Sequence, residues 1–275
     1  MKQKADFVLH NLECAVLYTN LYKGKGTKAG WNVEELKTAS VASKDGKIVW
    51  VGNAAELTAN VEILPDTRFY NGEGLTALPG FVDSHTHLVY GGNRADEFEM
   101  RVQGKTYLEI LEAGGGILRT TNAVREMSEG ELFAESAYRL EQAMETGITA
   151  IEIKSGYGLD LENGLKMLRV AAMLKEEYPV KIISTFMGAH AIPADRLSDP
   201  DKFVDEICEV WIPEVAKSGL AQFNDVFTEK KAFTVAQSRK VLEAGLKWGL
   251  KPKIHADERN VLGGIDLAVE LGAVS

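Results

Sequence analysis

The chain has 275 residues, 45% of them hydrophobic, with 31 Lys+Arg against 40 Asp+Glu and a net charge of −9. That acidic balance excludes a general nucleic-acid binder, which needs a concentrated basic stripe, and no run approaches the roughly 18 apolar residues of a membrane span. The start, MKQKADFVLHNLEC, lacks the apolar core of a secretory signal, and Cys14 and Cys208 form no metal or redox spacing. The composition therefore predicts a reduced, cytoplasmic protein with no disulfide and with neither a nucleic-acid nor a membrane partner.

In chain order, residues 1–78 read as a small β-rich domain. Residues 5–18 are an apolar-rich run, and 39–51 form a hairpin in which Asp45-Gly46 is the turn signal before KIVWVG. Residues 19–35 are rich in Gly and Lys without a period and read as loop, and 67–70 give one more short strand. Pro79-Gly80 marks the boundary to a second domain, 79–275.

From residue 80 the pattern becomes strand, loop, helix, repeated. Strands are predicted at 80–86, 148–154, 180–187, 221–227 and 251–256. The intervening helices are punctuated. Ser128 with Glu131 is a capping box, Gly147 sits at a C-terminal cap, 160–177 stops before Pro179, and 200–217 and 234–248 end at Gly219 and Gly249. Alternation of this kind means a parallel sheet of βα units, either doubly wound or part of a (β/α)8 barrel. A helix at 263–271 leads into the start of a sixth strand. AGGGI, 113–117, follows a helix-like stretch and has neither phosphate-loop order, so it reads as a lid or a substrate-facing turn.

Catalytic groups in such folds gather at the C-terminal ends of strands. His85 and His87 end the first strand two residues apart, on one face, where both imidazoles can reach one metal. His255 ends the fifth strand and is the natural third nitrogen ligand. Glu258, three residues on, can move protons or accept a hydrogen bond from a substrate N–H, or can simply be a solvated loop acid. The third strand delivers His190 to the same rim, and the second offers Lys154 and Tyr157. The fourth strand has no lysine that could bridge two ions, which favours a mononuclear site. Arg94 is placed to clamp a carboxylate or phosphate, or to pair with Asp96, Glu97 or Glu99.

Five stretches together carry a resemblance: LPGFVDSHTHLVYGGNRADEFEMR (78–101), EILEAGGGI (109–117), IEIKSGYGLD (151–160), TFMGAHAIP (185–193) and KIHADE (253–258). They resemble the imidazolonepropionases of the amidohydrolase superfamily, metal-dependent hydrolases of histidine degradation. The resemblance implies a (β/α)8 TIM-type barrel, incomplete here at five to six βα units, with residues 1–78 forming half of a composite β-sandwich. It implies that His85, His87 and His255 bind one divalent ion, Zn or Fe. It further implies that Arg94, Tyr107, Tyr157 and His190 hold a small anionic heterocycle and that Glu258 assists proton transfer. The family pattern continues with a histidine on a sixth strand and an aspartate ligand on an eighth, neither of which this chain contains, so a C-terminally truncated enzyme with little activity of its own is expected. Five units take up about 40 residues each, and eight would need roughly 320. A homodimer is compatible with the resemblance. Two other readings stay open: another mononuclear amidohydrolase, of deaminase or hydantoinase type, and a non-catalytic partial barrel.

Overall fold

A computed structural model describes residues 2–18, 33–106, 109–110 and 113–275. The chain divides into two compact units, 1–80 and 81–275.

The first unit is a mixed five-stranded sheet. β1 (Gln3–Tyr18) runs antiparallel to β2 (Val33–Lys44), which is itself antiparallel to β3 (Lys47–Asn53). After the one-turn helix α1 (Leu57–Asn60), β4 (Val61–Asn71) and the short β5 (Thr76–Ala77) lie parallel to β1. The predicted hairpin is present. Asp45 and Gly46 both take positive φ, 50° and 72°, as a tight turn matching the strand twist requires. The expected loop at 19–35 is corrected at its end: Val33, Glu34 and Glu35 pair with Tyr18, Leu17 and Val16, because a long partner strand overrides their weak local preference. Residues 19–32 lie outside the described residues. The predicted strand 67–70 is the end of a longer one. Pro65 and Asp66 bulge out of β4, and Thr67 closes the gap by donating to the Ala5 carbonyl at 2.7 Å.

The second unit is a parallel sheet in the order β10-β9-β8-β7-β6. Its strands are β6 (Phe81–Thr86), β7 (Ile148–Lys154), β8 (Lys181–Ala189), β9 (Phe223–Thr228), β10 (Lys251–Pro252) and β11 (His255–Ala256), the last also paired with β9. Between them run α2 (Ala95–Val102), α3 (Ile117–Glu126), α4 (Glu129–Glu145), α5 (Leu161–Glu177), α6 (Pro200–Glu206), α7 (Ile212–Ser218) and α8 (Val235–Lys247), with α9 (Gly264–Leu271) last. The capping box of Ser128 and Glu131 opens α4. The single helix predicted over 200–217 is instead α6 and α7 joined by a π-helical turn, Ile207–Trp211, whose wide pitch seats Trp211 against Phe203 at 5.3 Å. Two cores fill the space between helices and sheet. One, around Phe186, Phe203 and Phe233, lies under β8 and β9; the other, around Leu140, Ile151 and Leu174, lies under β7.

The predicted strand at 251–256 is split into β10 and β11. The expected sixth strand is not formed by residues 273–275, although Val274 donates to the Pro252 carbonyl at 2.9 Å and Ile254 donates to the Ser275 carbonyl at 3.1 Å. No helix among the described residues is long and apolar enough to cross a membrane.

Candidate metal centre and substrate cavity

Parallel strands buried on both faces expose polar side chains only where the chain leaves the sheet, so the rim at the strand C-termini collects them. His85 and His87 leave β6 with ring centroids 5.9 Å apart. His255 reaches them from β11, with three strands between it and β6 in the sheet order, at 4.4 Å from His85 and 5.7 Å from His87. One ligand atom from each of the three imidazoles lies within 4.8 Å of the others. Burial, with His190 alongside, holds the His87 imidazole down at about 2, and burial holds His190 down at about 4. Both rings are therefore neutral near pH 7, the form that ligates. The His87 Nδ1 is buried without a hydrogen-bond partner among the described residues. Three converging imidazoles and an orphaned ring nitrogen fit a first-row divalent ion, Zn and Fe included.

His190 stacks on His87 at 4.9 Å, and Tyr157 lies 5.5 Å from His87 and 5.3 Å from His190. Gly156 makes this cluster possible. A Cβ there would come within 2.6 Å of His190 Nδ1 and 3.0 Å of His87 Nδ1, while its bare carbonyl lies 2.6 Å from His190 Nδ1. Beside the imidazoles opens a cavity of about 440 Å³ lined by His87, Tyr90, Arg94, Phe98, Arg101, Thr120 and Tyr157. Both roles foreseen for Arg94 coincide. It lines the cavity and also pairs with the buried Glu97, at 2.9 Å through Nε and 2.8 Å through Nη2. Burial pushes the Glu97 carboxyl up, but Arg94, the Gly116 amide and Arg101 outweigh it and hold the group ionised. Glu97 accepts from that amide at 2.9 Å, which ties the AGGGI turn to the arginine it supports.

The stretch between β6 and Arg94 is held from behind. Arg139, on α4, donates to the carbonyls of Leu88, Tyr90 and Gly92 at 3.4, 2.7 and 3.1 Å, and its guanidinium lies 3.6 Å from the centre of the Tyr90 ring. Glu135 completes the clamp by accepting from Arg139 at 2.8 Å and from the Gly92 amide at 3.1 Å. Three orphaned carbonyls cost on the order of 1–3 kcal/mol each where water cannot reach them. Arg139→Ala is expected to raise amide-exchange rates across residues 88–92 by at least about tenfold, with α5 unaffected. Unchanged exchange in that loop would show that the clamp carries no load.

Beneath the imidazoles lies a buried set of charges. Lys154, 2% exposed, donates to Glu152 Oε1 at 2.9 Å and to Asp225 Oδ2 at 2.7 Å. Lys253 lies 3.2 Å from Glu152 Oε1, Thr185 donates to the same oxygen, and Asp225 Oδ1 lies 3.1 Å from His255 Nδ1. Burial pushes the Asp225 carboxyl up, but the hydrogen bond from His255 and the Lys154 ammonium prevail and hold it at about 2.

The fold thus brings His85, His87, His190, His255, Tyr157 and Arg94 to one rim. Tyr107 lies outside the described residues. Glu258 is exposed on the loop after β11 and makes no hydrogen bond or ion pair among the described residues. That loop is shaped by Glu229, which accepts from the amides of Lys230, Arg259 and Asn260 and is held at about 2, chiefly by the Lys230 amide. Asp225, Glu152, Tyr90 and Arg101 were not singled out from the sequence. The signal for the two acids is a charged residue inside an otherwise apolar strand, IEIK and NDVF.

No family model matches the chain. It is 51% identical over 241 residues to an imidazolonepropionase of Geobacillus sp. (strain WCH70), covering 87% of this chain and 57% of that relative. It is 46% identical over 253 residues to an imidazolonepropionase of Alkaliphilus metalliredigens (strain QYMF), covering 91% and 60%. Among solved structures, a 5-methylcytosine deaminase from Klebsiella pneumoniae superposes with a TM-score of 0.62 at 14% identity, covering 96% of this chain and 55% of that one. An ochratoxinase from A. niger superposes at 0.57 and 13%, covering 99% and 59%. An atrazine chlorohydrolase from Arthrobacter aurescens TC1, solved with zinc, superposes at 0.52 and 12%, covering 96% and 55%. The fold is that of the amidohydrolase barrels, represented here by part of the barrel sheet and a separate β-domain. The chain spans a little over half the length of the relatives it matches.

Proposed function

From homology to imidazolonepropionases across most of this chain, we propose that these residues form the metal and substrate half of a cytoplasmic hydrolase that opens a cyclic amide. The substrate is 4-imidazolone-5-propanoate, the product N-formimidoyl-L-glutamate, and the resident ion Zn or Fe. One observation carries the reading: three imidazoles, two from the end of β6 and one from β11, converge beside a cavity that presents two arginines and two tyrosines.

His85, His87 and His255 would hold the ion. When bound, it supplies Lewis acidity and a nucleophile near neutral pH. The remaining chemistry belongs to the chain. Arg94, backed by Glu97, faces the cavity with a fixed positive charge suited to a propionate. Tyr90 and Tyr157 line the cavity in which a five-membered ring would sit, and neutral His190 can exchange a proton with a ring nitrogen or oxygen. Glu258 is placed in the reading as a proton carrier that approaches from its exposed loop. Among the described residues the metal-ligating group contains no carboxylate, so turnover by the 275-residue chain alone is read as low.

The test is ligand binding to the zinc-loaded chain. Imidazole-4-propionate is expected to bind at least about tenfold more tightly than imidazole, with Arg94→Ala removing that preference, since a charge-assisted bond contributes about 1.5–3 kcal/mol. Equal affinity of the wild-type chain for both compounds would sink the carboxylate-clamp reading and favour a hydrolase or deaminase acting on an uncharged ring.

A further inference from the structure

We propose that Asp225, backed by Lys154 and Glu152, is a positioning residue for the metal ligand His255, setting which ring nitrogen faces the ion. The inference rests on the reading that His255 ligates.

His255 Nδ1 lies 3.1 Å from Asp225 Oδ1, and both groups are buried. A carboxylate can only accept, so Nδ1 carries the proton and Nε2 is left with its lone pair free for an ion. The second Asp225 oxygen is taken by Lys154 at 2.7 Å. Both oxygens are therefore committed, and Asp225 is not itself a ligand although it lies next to one. Lys154 is anchored in turn by Glu152 at 2.9 Å. Glu152 is fixed by Thr185 from β8 and lies 3.2 Å from Lys253, two residues before His255. The chain of contacts therefore links β7, β8 and β9 to the segment that carries His255. It does so at a point where that segment has only two-residue strands to hold it. Two short ladders fix the backbone weakly, so the orientation of the imidazole falls to the side-chain chain beneath it. Outer partners of this kind set ligand tautomer and basicity, and losing one costs about 10–100-fold in metal affinity.

The probe is Zn(II) alone, measured by competition with a chromogenic chelator. Asp225→Asn is expected to bind zinc about 10–100-fold more weakly than the wild-type chain. In a His255→Ala background the same change is expected to have no further effect, as action through His255 requires. Zinc affinity of Asp225→Asn within about twofold of wild type, or an equal loss in the His255→Ala background, would overturn the inference. Failure of the wild-type chain to bind zinc would instead overturn the metal reading. Should Asp225→Asn not fold, the 15N shifts of the His255 ring in the wild-type chain decide. A protonated Nδ1 supports the proposal and a protonated Nε2 refutes it, an outcome that a merely structural role for Asp225 does not dictate.

Discussion

His87→Ala is expected to lower zinc affinity by more than about a hundredfold, beyond the range seen on losing an outer-shell partner. Three imidazole nitrogens converge, and removing one leaves two, too few for a site of this type to hold an ion against competition from water. His87 is also the ring on which His190 stacks at 4.9 Å and Tyr157 packs at 5.5 Å. The substitution therefore loosens the cavity wall as well as the ligand set. Metal content after dialysis against a weak chelator, together with circular dichroism of the metal-free variant, separates loss of the site from loss of the fold. A folded variant that retained one zinc per chain would place the ion elsewhere.

Lys154→Met is expected to destabilise the barrel unit by about 3–5 kcal/mol, the cost of breaking a buried ion pair by removing one partner. In thermal terms this is a fall in Tm of roughly 6–20 °C for a unit of this size. Lys154 neutralises two carboxylates, Glu152 and Asp225, that are 4% and 1% exposed. Glu152 has one oxygen, Oε2, with no partner among the described residues and keeps Lys253 and Thr185 at the other, so the loss falls most heavily on Asp225. Because methionine is unbranched and lacks only the terminal ammonium atom of lysine's reach, the packing change is small and the effect reports the charge. Urea unfolding should show a lower midpoint with an unchanged slope. Adding Glu152→Gln and Asp225→Asn to Lys154→Met should recover part of the loss, since removing the three charges together is cheaper than orphaning two carboxylates, although Lys253 then loses its Glu152 partner. A midpoint shift of Lys154→Met below the equivalent of about 1 kcal/mol would show that the two carboxylates are solvated or protonated instead.

Much of this was legible in the sequence because the signals are local. The Asp45-Gly46 turn, the Ser128–Glu131 box and β7 at 148–154 each follow from residues within a few positions of one another. His85 and His87 were legible as a pair from the period of a strand. The convergence of His255 on them was legible only by way of the βα order, which puts strand C-termini on one rim. What failed depends on partners distant in sequence. Val33–Glu35 became strand because β1 extends to meet them. The π-helical turn before Trp211 follows from packing against Phe203 and β8, which no helical period discloses. The Asp225–His255 contact spans 30 residues and the Lys154–Asp225 contact 71. A lysine at a strand end carries no mark of the two acids it will meet. Glu258 shows the opposite limit, since its place beside histidine in sequence does not bring it into contact with the cluster.

The strand order of the second unit bears on how the molecule is made. From β6 to β10 every strand lies beside the one that precedes it in the chain, and each connection carries helix that packs back on the same sheet. Such a sheet can grow in the direction of synthesis, each new βα unit docking on a surface already complete as it leaves the ribosome, with no earlier strand waiting for a distant mate. The charge relay under His255 is then assembled in the same sequence. Glu152 and Lys154 arrive already paired on β7, Asp225 joins Lys154 with β9, and the imidazole is oriented only when its own short segment is laid down. The meeting of the three imidazoles is thus among the last features of these residues to form.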